Sequence, residues 1–600
     1  MNQAGVVDEA LALGVPAFAS LDGTRAVRIG EVAGLLQVLA WDVPAQRGRV
    51  LTRAPDGVDL AEIEPDGRHV WWFEALRWHR VPFDGGVAEA AMGGVPPGRM
   101  HGIAFDTTGT RAAVAVGDGD RTEVYVGVPG RQARHLVSVP GHLELVDMTA
   151  DGLVVLAGRP DGPDAVCLCA PDSVLTRLPV RQGESWWPME LHPDGRLLLV
   201  LRRGEEYLLA TRRPGRRVRV EDWTAADTEI SARWYGNGVL TQQDRAGRST
   251  LRLVDLTARR SRTLSIPDGT VLEVSCAPDG LVHCLWSNAE TPPQVLTTDP
   301  ARATEPVPRP DPPPDAPRRR KIATSRSYGD IPSFLATPHG TGPWPTLFLV
   351  HGGPATHDRD CFDPRVEVFV RAGFAVVRTN YRGSTGYGPA WRDGCGHRVG
   401  LAQIEDLGAV RDHLIAEGVA DPRRVGLSGY SWGGYLALLA AGAQPDLWAV
   451  ALAAFPIADY PAAYHATTPA LREMDERLFG GTPAEVPDRY RRASPMSYVD
   501  SVRCPVLLVA SPTDDKCPAE PVRRYAEALA RRGVRHELAW IGEGHHSRDS
   551  ADHTAVLALM LSFARDALAG PVPSGSTEEE TGKEVQRHEE AQRAQRPDQQ

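Results

Sequence analysis

No stretch of this chain is apolar for long enough to cross a bilayer. The most hydrophobic runs, such as Thr346 to Val350 and Val506 to Ala510, are short and suit buried parallel strands better than membrane helices. The N-terminus lacks the basic-then-apolar pattern of a secretory leader, so export is not called for and a cytoplasmic location is expected. Cysteine is scarce: eight residues in 600, with no Cys-x-x-Cys pair. That excludes a disulfide scaffold and reads as free thiols in a reducing compartment. An excess of positive charge is missing too. The formal charge of −11 argues against nucleic acid as a partner. The one dense basic run, Arg318-Arg319-Arg320-Lys321, reads as the solvated end of a linker.

What is present begins with a repeat. Turn-like tips end in a glycine at Gly23, Gly67, Gly109, Gly152, Gly195, Gly238 and Gly280, at spacings of 42 to 44 residues. Strand-like runs follow the tips, among them 26–29, 69–73, 112–116, 153–157 and 197–201. Asp-Gly and Asn-Gly favour the positive φ of a hairpin. Seven such units at near-constant spacing predict a seven-bladed β-propeller over residues 18–305, preceded by a short segment, 1–17. No Gly-His…Trp-Asp signature accompanies the repeat, so it is not the common scaffold type of propeller.

Seven prolines between Pro306 and Pro317 then predict an extended, semi-rigid linker over 306–320. Beyond it the pattern changes. Apolar strands at 346–350, 374–378, 425–428, 449–454, 505–510 and 537–541 alternate with helical stretches near 363–372, 402–417, 433–442, 519–532 and 551–568. This alternation predicts a doubly wound, mostly parallel sheet, an α/β-hydrolase domain over 321–570. The charged, Gln- and Arg-rich tail, 571–600, is expected to be disordered.

Within that domain, Val425 to Tyr435 reads as strand, Gly-flanked turn and helix, with Gly429-Tyr430-Ser431-Trp432-Gly433 at the turn. A nucleophile elbow requires this context, which makes Ser431 the expected nucleophile. A serine hydroxyl needs a base, and the base needs an orienting carboxylate. In such a fold the chain order is Ser, acid, His, each on a loop after a later strand. The strand ending at Ala510 runs into Thr513-Asp514-Asp515-Lys516, and the strand ending at Ile541 runs into Glu543-Gly544-His545-His546. Asp514 is the expected acid and His545 the expected base, with Asp515 and His546 as the adjacent alternatives. One oxyanion donor is the Trp432 N–H at the helix start. The second is placed at Gly353 in His351-Gly352-Gly353-Pro354, after the first strong strand.

These pieces, with Asn380-Tyr381-Arg382-Gly383-Ser384-Thr385-Gly386-Tyr387-Gly388 and Asp514-Asp515-Lys516-x-Pro518, resemble the prolyl oligopeptidase family, most closely its acylaminoacyl-peptidase-like branch. Specific motifs carry the resemblance over about 320–570; upstream it rests on the propeller period alone. It implies a propeller that restricts access to a cavity between the domains, and short peptides as substrates. It also supports the triad and oxyanion residues named above. Two positions depart from the pattern. Several branches have a tyrosine where this chain has His351, which points to the Gly353 amide instead. Many relatives have an arginine where this chain has Lys516, which keeps the charge without the bidentate fork. Lys516 is therefore a candidate contact to a substrate carbonyl, and Tyr460 and Tyr464 are candidate walls of an acyl pocket, with surface position and ordinary packing as the alternatives. Dipeptidyl-peptidase branches bind a substrate amino terminus with paired glutamates. Glu205-Glu206 is such a pair, better explained as a solvated hairpin edge.

The expected activity is hydrolysis of short peptides through an acyl-enzyme, with no metal or organic cofactor. An esterase or amidase for a small acylated metabolite uses the same chemistry. A propeller binding module with an inactive hydrolase half is the rival of another class. The sequence leaves a homo-oligomer open.

Overall fold

The computed structural model describes residues 14–569 and the short strand Val6–Val7, apart from 59, 118–119, 301–316, 543 and 546–548. The proline-rich stretch up to 316, the tail from 570 and the alternative base His546 thus lie outside the described residues.

Seven sheets follow one another along residues 6–298, giving the seven-bladed propeller. Each expected tip joins the first and second strands of a blade; Gly67, for example, lies between Ala61–Ile63 and His69–Glu74. The sixth tip differs by two residues. There Gly236, not Gly238, holds the positive φ of 53°, and Gly238 already begins the strand Gly238–Arg245.

The strand Leu197–Arg203 shows how the blades cohere. Leu197 to Leu201 are all buried, because alternate side chains enter the cores shared with the blades on either side: Leu197, Leu199 and Leu201 in one, Leu198 and Val200 in the other. Among the described residues the last blade has three strands, ending with Thr291–Thr298. Val6–Val7 does not complete it but pairs antiparallel with Gly48 and Arg49 of the first blade. Side chains close the seam instead: Glu273 accepts from Val15 N–H at 3.1 Å, and the Phe18 and His283 rings lie 5.0 Å apart.

The hydrolase sheet has eight strands. In spatial order they are Arg318–Arg326, Gly329–Thr337, Ala375–Thr379, Trp344–Val350, Ala420–Tyr430, Val450–Ala454, Val506–Ala510 and His536–Trp540. The first two run antiparallel and the rest are parallel. Helices cover both faces, so these strands read as unbroken apolar runs. Phe348 and Val350 face helices Leu401–Ala416 and Trp432–Ala443; Leu347 and Leu349 face Pro364–Arg371 and Ser550–Leu568.

One expectation is corrected here. The basic run 318–321 is not a solvated linker end but the start of an edge strand, so the sheet begins inside the stretch read as linker. Arg319 pairs with Glu367, Arg320 with Glu417 at 2.5 Å, and Lys321 Nζ donates to Ala246 O of the propeller at 3.0 Å. Charges on an edge strand also block further strand pairing.

Candidate active site

The elbow forms because three backbones pass within contact distance where only glycine fits. A Cβ on Gly429 would lie 2.3 Å from the Gly433 carbonyl carbon, and a Cβ on Gly433 would lie 2.0 Å from Val350 O. Between them Ser431 is held at φ 54°, ψ −118°, its N–H donating to Ala454 O at 2.9 Å. This strained backbone lifts Oγ clear of the strand at the N-terminus of Trp432–Ala443. Trp432 opens that helix, so its N–H has no carbonyl partner within the helix.

His545 Nε2 lies 2.9 Å from Ser431 Oγ, and His545 Nδ1 lies 2.8 Å from Asp514 Oδ2. Both ends of the pair are shielded: the histidine side chain is 5% exposed and the carboxylate 1%. Asp514 is fixed by its own loop, Oδ1 accepting from Lys516 N–H at 2.9 Å and Cys517 N–H at 2.8 Å. That leaves Oδ2 for the imidazole. Gly544 N–H donates to Thr513 Oγ1 at 2.8 Å and ties the acid loop to the base loop. Asp515, the adjacent alternative, faces away and meets Arg99 of the propeller at 2.6 Å.

The glycine loop lies over the nucleophile: a Cβ on Gly352 would stand 4.0 Å from Ser431 Cβ. Gly353 has φ 129°, open to glycine and strained for other residues. His351 serves the loop as a post. Its ring stacks on Tyr381 at 4.2 Å, Nε2 lies 2.9 Å from Ser384 Oγ, and its carbonyl accepts from the Tyr381 hydroxyl at 2.8 Å. Burial lowers its pKa and favours the neutral ring. Sequence reading took Tyr381 and Ser384 as family pattern only; their part as props depends on the strand Ala375–Thr379 lying beside Trp344–Val350.

Tyr460 is corrected as a substrate contact. At 1% exposure it is a core ring, packed against Tyr435 and Phe479 at 5.0 Å each and against Trp432 at 6.3 Å. The packing alternative is what the fold uses. Tyr464 is partly buried, and its hydroxyl donates to Glu476. Lys516 is exposed beside the acid, and its backbone carbonyl accepts from Thr467 Oγ1 at 3.3 Å. Glu205 lies at the domain boundary rather than on a free edge, accepting from Ala390 N–H at 2.9 Å.

One close neighbour escaped the sequence reading. Cys517 is buried, its thiol reaches Ser431, and burial raises its pKa well above the ordinary thiol value. Ligand atoms of Asp514, Cys517 and His545 lie within 4.8 Å of one another, the one such group among the described residues that could hold a metal ion. Two of the three are already bonded to each other. A cavity of about 620 Å³ opens where the domains meet, lined by Glu229, Arg233, Asp244, Glu273, His357 and Arg359 among others.

Residues 361–571 match the prolyl oligopeptidase family. Acylamino-acid-releasing enzyme of Arabidopsis thaliana is 27% identical over 232 residues, covering 36% of this chain and 30% of that protein. The Rattus norvegicus enzyme of the same name is 28% identical over 208 residues, covering 34% and 28%. The chain thus spans less than a third of the length of these curated relatives. Two solved structures extend the likeness in fold to the propeller. Pyrococcus horikoshii acylaminoacyl peptidase has a TM-score of 0.73 at 17% identity, over 94% of this chain and 97% of that one. A Mycobacterium tuberculosis puromycin-hydrolyzing peptidase has a TM-score of 0.76 at 20% identity, over 95% and 96%. The elbow, the ordered acid and base loops and the family match thus fall in one region, where this chain is similar to the prolyl oligopeptidase family of serine peptidases.

Proposed function

We propose that this protein hydrolyses short peptides through an acyl-enzyme on Ser431. The observation that carries the reading is the continuous relay Ser431 Oγ–His545–Asp514, with contacts of 2.9 and 2.8 Å on a strained elbow. His545 takes the Ser431 proton as Oγ attacks the carbonyl, and Asp514 steadies the imidazolium that results. The Gly353 and Trp432 amides receive the oxyanion. His545 then protonates the leaving amine, and water repeats the attack to release the acid.

The propeller narrows access, so extended or short chains reach Ser431 and folded proteins do not. Arginines of the propeller meeting acids of the hydrolase support this arrangement: Arg99–Asp515 at 2.6 Å, Arg202–Asp393 at 2.7 Å and Arg248–Asp360 at 2.9 Å. Among the described residues no helix is long and apolar enough to cross a membrane. The eight cysteines are free, which suits the cytoplasmic location that belongs to this reading.

Turnover of aminoacyl and peptidyl nitroanilides by Ser431→Ala tests the proposal. Activity should fall on the order of 10⁴-fold or more. Wild-type turnover in the variant would refute it, and cleavage of nitrophenyl esters alone by the native enzyme would make it an esterase.

A further inference from the structure

The basic run at 318–321, being an edge strand, places alternate cations on one face of the hydrolase sheet. The strand register sets Lys321 opposite Phe334 and Phe334 opposite Arg378, so these three form one row across three strands. Arg319, Ala336 and Val376 form the next row on that face. The short side chains of Ala336 and Val376 leave a hollow between the cations, and the propeller roofs it. A cavity of about 230 Å³ lies there, walled by both rows, by Val366 of the neighbouring helix, and by Arg248, Ala289 and Glu290 of the propeller. The propeller turn rests on its aromatic side: a Cβ on Gly247 would lie 2.6 Å from Phe334 Cζ.

Three cations of the hydrolase and one of the propeller thus line a single cavity, with Asp360 and Glu290 as the acids in its walls. Arg320 touches the rim, but its side chain pairs with Glu417. Arg248 and Arg319 have carboxylate partners, in Asp360 and Asp268 and in Glu367. Lys321 and Arg378 are served less well. Lys321 Nζ donates to a neutral carbonyl, Ala246 O, and makes no ion pair among the described residues. Arg378 is 6% exposed, and among the described residues its guanidinium makes no hydrogen bond. Its ion pair, with Asp358, is 3.9 Å long and beyond hydrogen-bond reach. Both cations stand over the Phe334 ring, 5.2 and 5.3 Å from its centroid. A ring face attracts a cation without neutralising it, and a buried guanidinium is unfavourable until something accepts from it. Burial holds the Lys321 ammonium below the ordinary lysine value, and the Arg248 charge adds to the fall.

We propose that this cavity binds a divalent oxyanion, inorganic phosphate, between Arg378 and Lys321 of the hydrolase and Arg248 of the propeller. Arg378 offers paired N–H donors and Lys321 a compact charge, and phosphate accepts from both kinds of group. The volume takes one such ion with a few waters, each water filling about 30 Å³. Because its cations come from both halves, the bound ion ties propeller to hydrolase beside the Arg248–Asp360 pair.

Titration calorimetry of the full chain with inorganic phosphate, at about pH 8 where phosphate is divalent and at fixed ionic strength, tests the site. One saturable site per chain is expected. Affinity should fall on the order of 10-fold or more in Arg378→Gln and in Lys321→Gln. Lys321 is exposed, so its variant carries the test should Arg378→Gln fail to fold. Arg320→Gln, which removes a neighbouring charge paired elsewhere, should keep affinity within about two-fold. Phosphate should also raise the native Tm by several degrees over chloride at equal ionic strength, and by markedly less in Lys321→Gln. No saturable binding to the native protein, native affinity in Lys321→Gln, or an equal loss in Arg320→Gln would overturn the assignment. So would the same Tm rise in the native protein and Lys321→Gln, the mark of a general salt effect.

Discussion

Asp514 and Asp515 differ by one position and point in opposite directions, the first to His545 and the second to Arg99 of the propeller. The sequence left that choice between neighbours open, because chain order and loop position do not say which way a side chain turns. The turn decides: Asp514 Oδ1 is occupied by two backbone N–H groups, so Oδ2 has one direction left. Asp475 was not legible at all, since one acid among three on a polar helix looks like a solvated face until burial is known. Its energetics can be checked directly. A carboxyl whose folded pKa is raised to about 7 binds a proton more readily in the folded state than in the unfolded one. Stability therefore falls as pH rises from about 4 to about 7, and the penalty is complete above that window. Asp475→Asn should match the native Tm near pH 4 and exceed it increasingly toward pH 8, by an amount on the order of a few kcal/mol in stability. Calorimetry across that range gives the answer; a constant difference at every pH would remove the buried charge as the cause.

The elements with strong patterns were the readable ones. The parallel strands and the five expected helices lie within two residues of expectation at most ends, because two-sided burial writes unbroken apolar runs in the strands. The strand Ala420–Tyr430 is the exception, starting five residues before its apolar part since Asp421, Pro422 and Arg423 hide it. The helices Tyr460–Ala466, Pro469–Phe479 and Pro487–Ala493 are proline-led and bury only two residues each, too few to write an apolar period. At the elbow, by contrast, the glycine spacing itself records the packing. Gly433→Ala places a Cβ 2.0 Å from Val350 O, which is backbone and has little freedom to give way. That variant should lose at least 10²-fold in kcat/KM and several degrees in Tm. Native activity and native Tm together in Gly433→Ala would show that the elbow is looser than described.

Across the whole molecule, a repeat of modest local signal predicted the larger half of the architecture, because seven tips at one spacing are informative where one is not. The docking of the two halves left no trace in the sequence, as its partners are far apart along the chain, by 71 residues for Ala289 and Asp360 and by 416 for Arg99 and Asp515. Asp360 is its most buried joint. Oδ2 meets Arg248 Nε at 2.9 Å, Oδ1 accepts from Ala289 N–H at 3.2 Å, and its main chain bonds to Gly247 O and Thr270 Oγ1. Asp360→Ala leaves those donors short of an acceptor, at a loss of about 1–3 kcal/mol. Loss at the interface, rather than within either core, should split thermal unfolding into two calorimetric transitions. A single transition merely shifted downward would place the damage inside one domain.

The central claim is that Ser431 is the one activated nucleophile, driven by His545. Its most direct test is reaction of the folded protein with a fluorophosphonate, followed by intact-mass measurement and peptide mapping. One adduct per chain is predicted, on Ser431, with labelling slowed on the order of 10³-fold or more in His545→Ala. An unlabelled native protein, or an adduct on any other residue, would contradict the account.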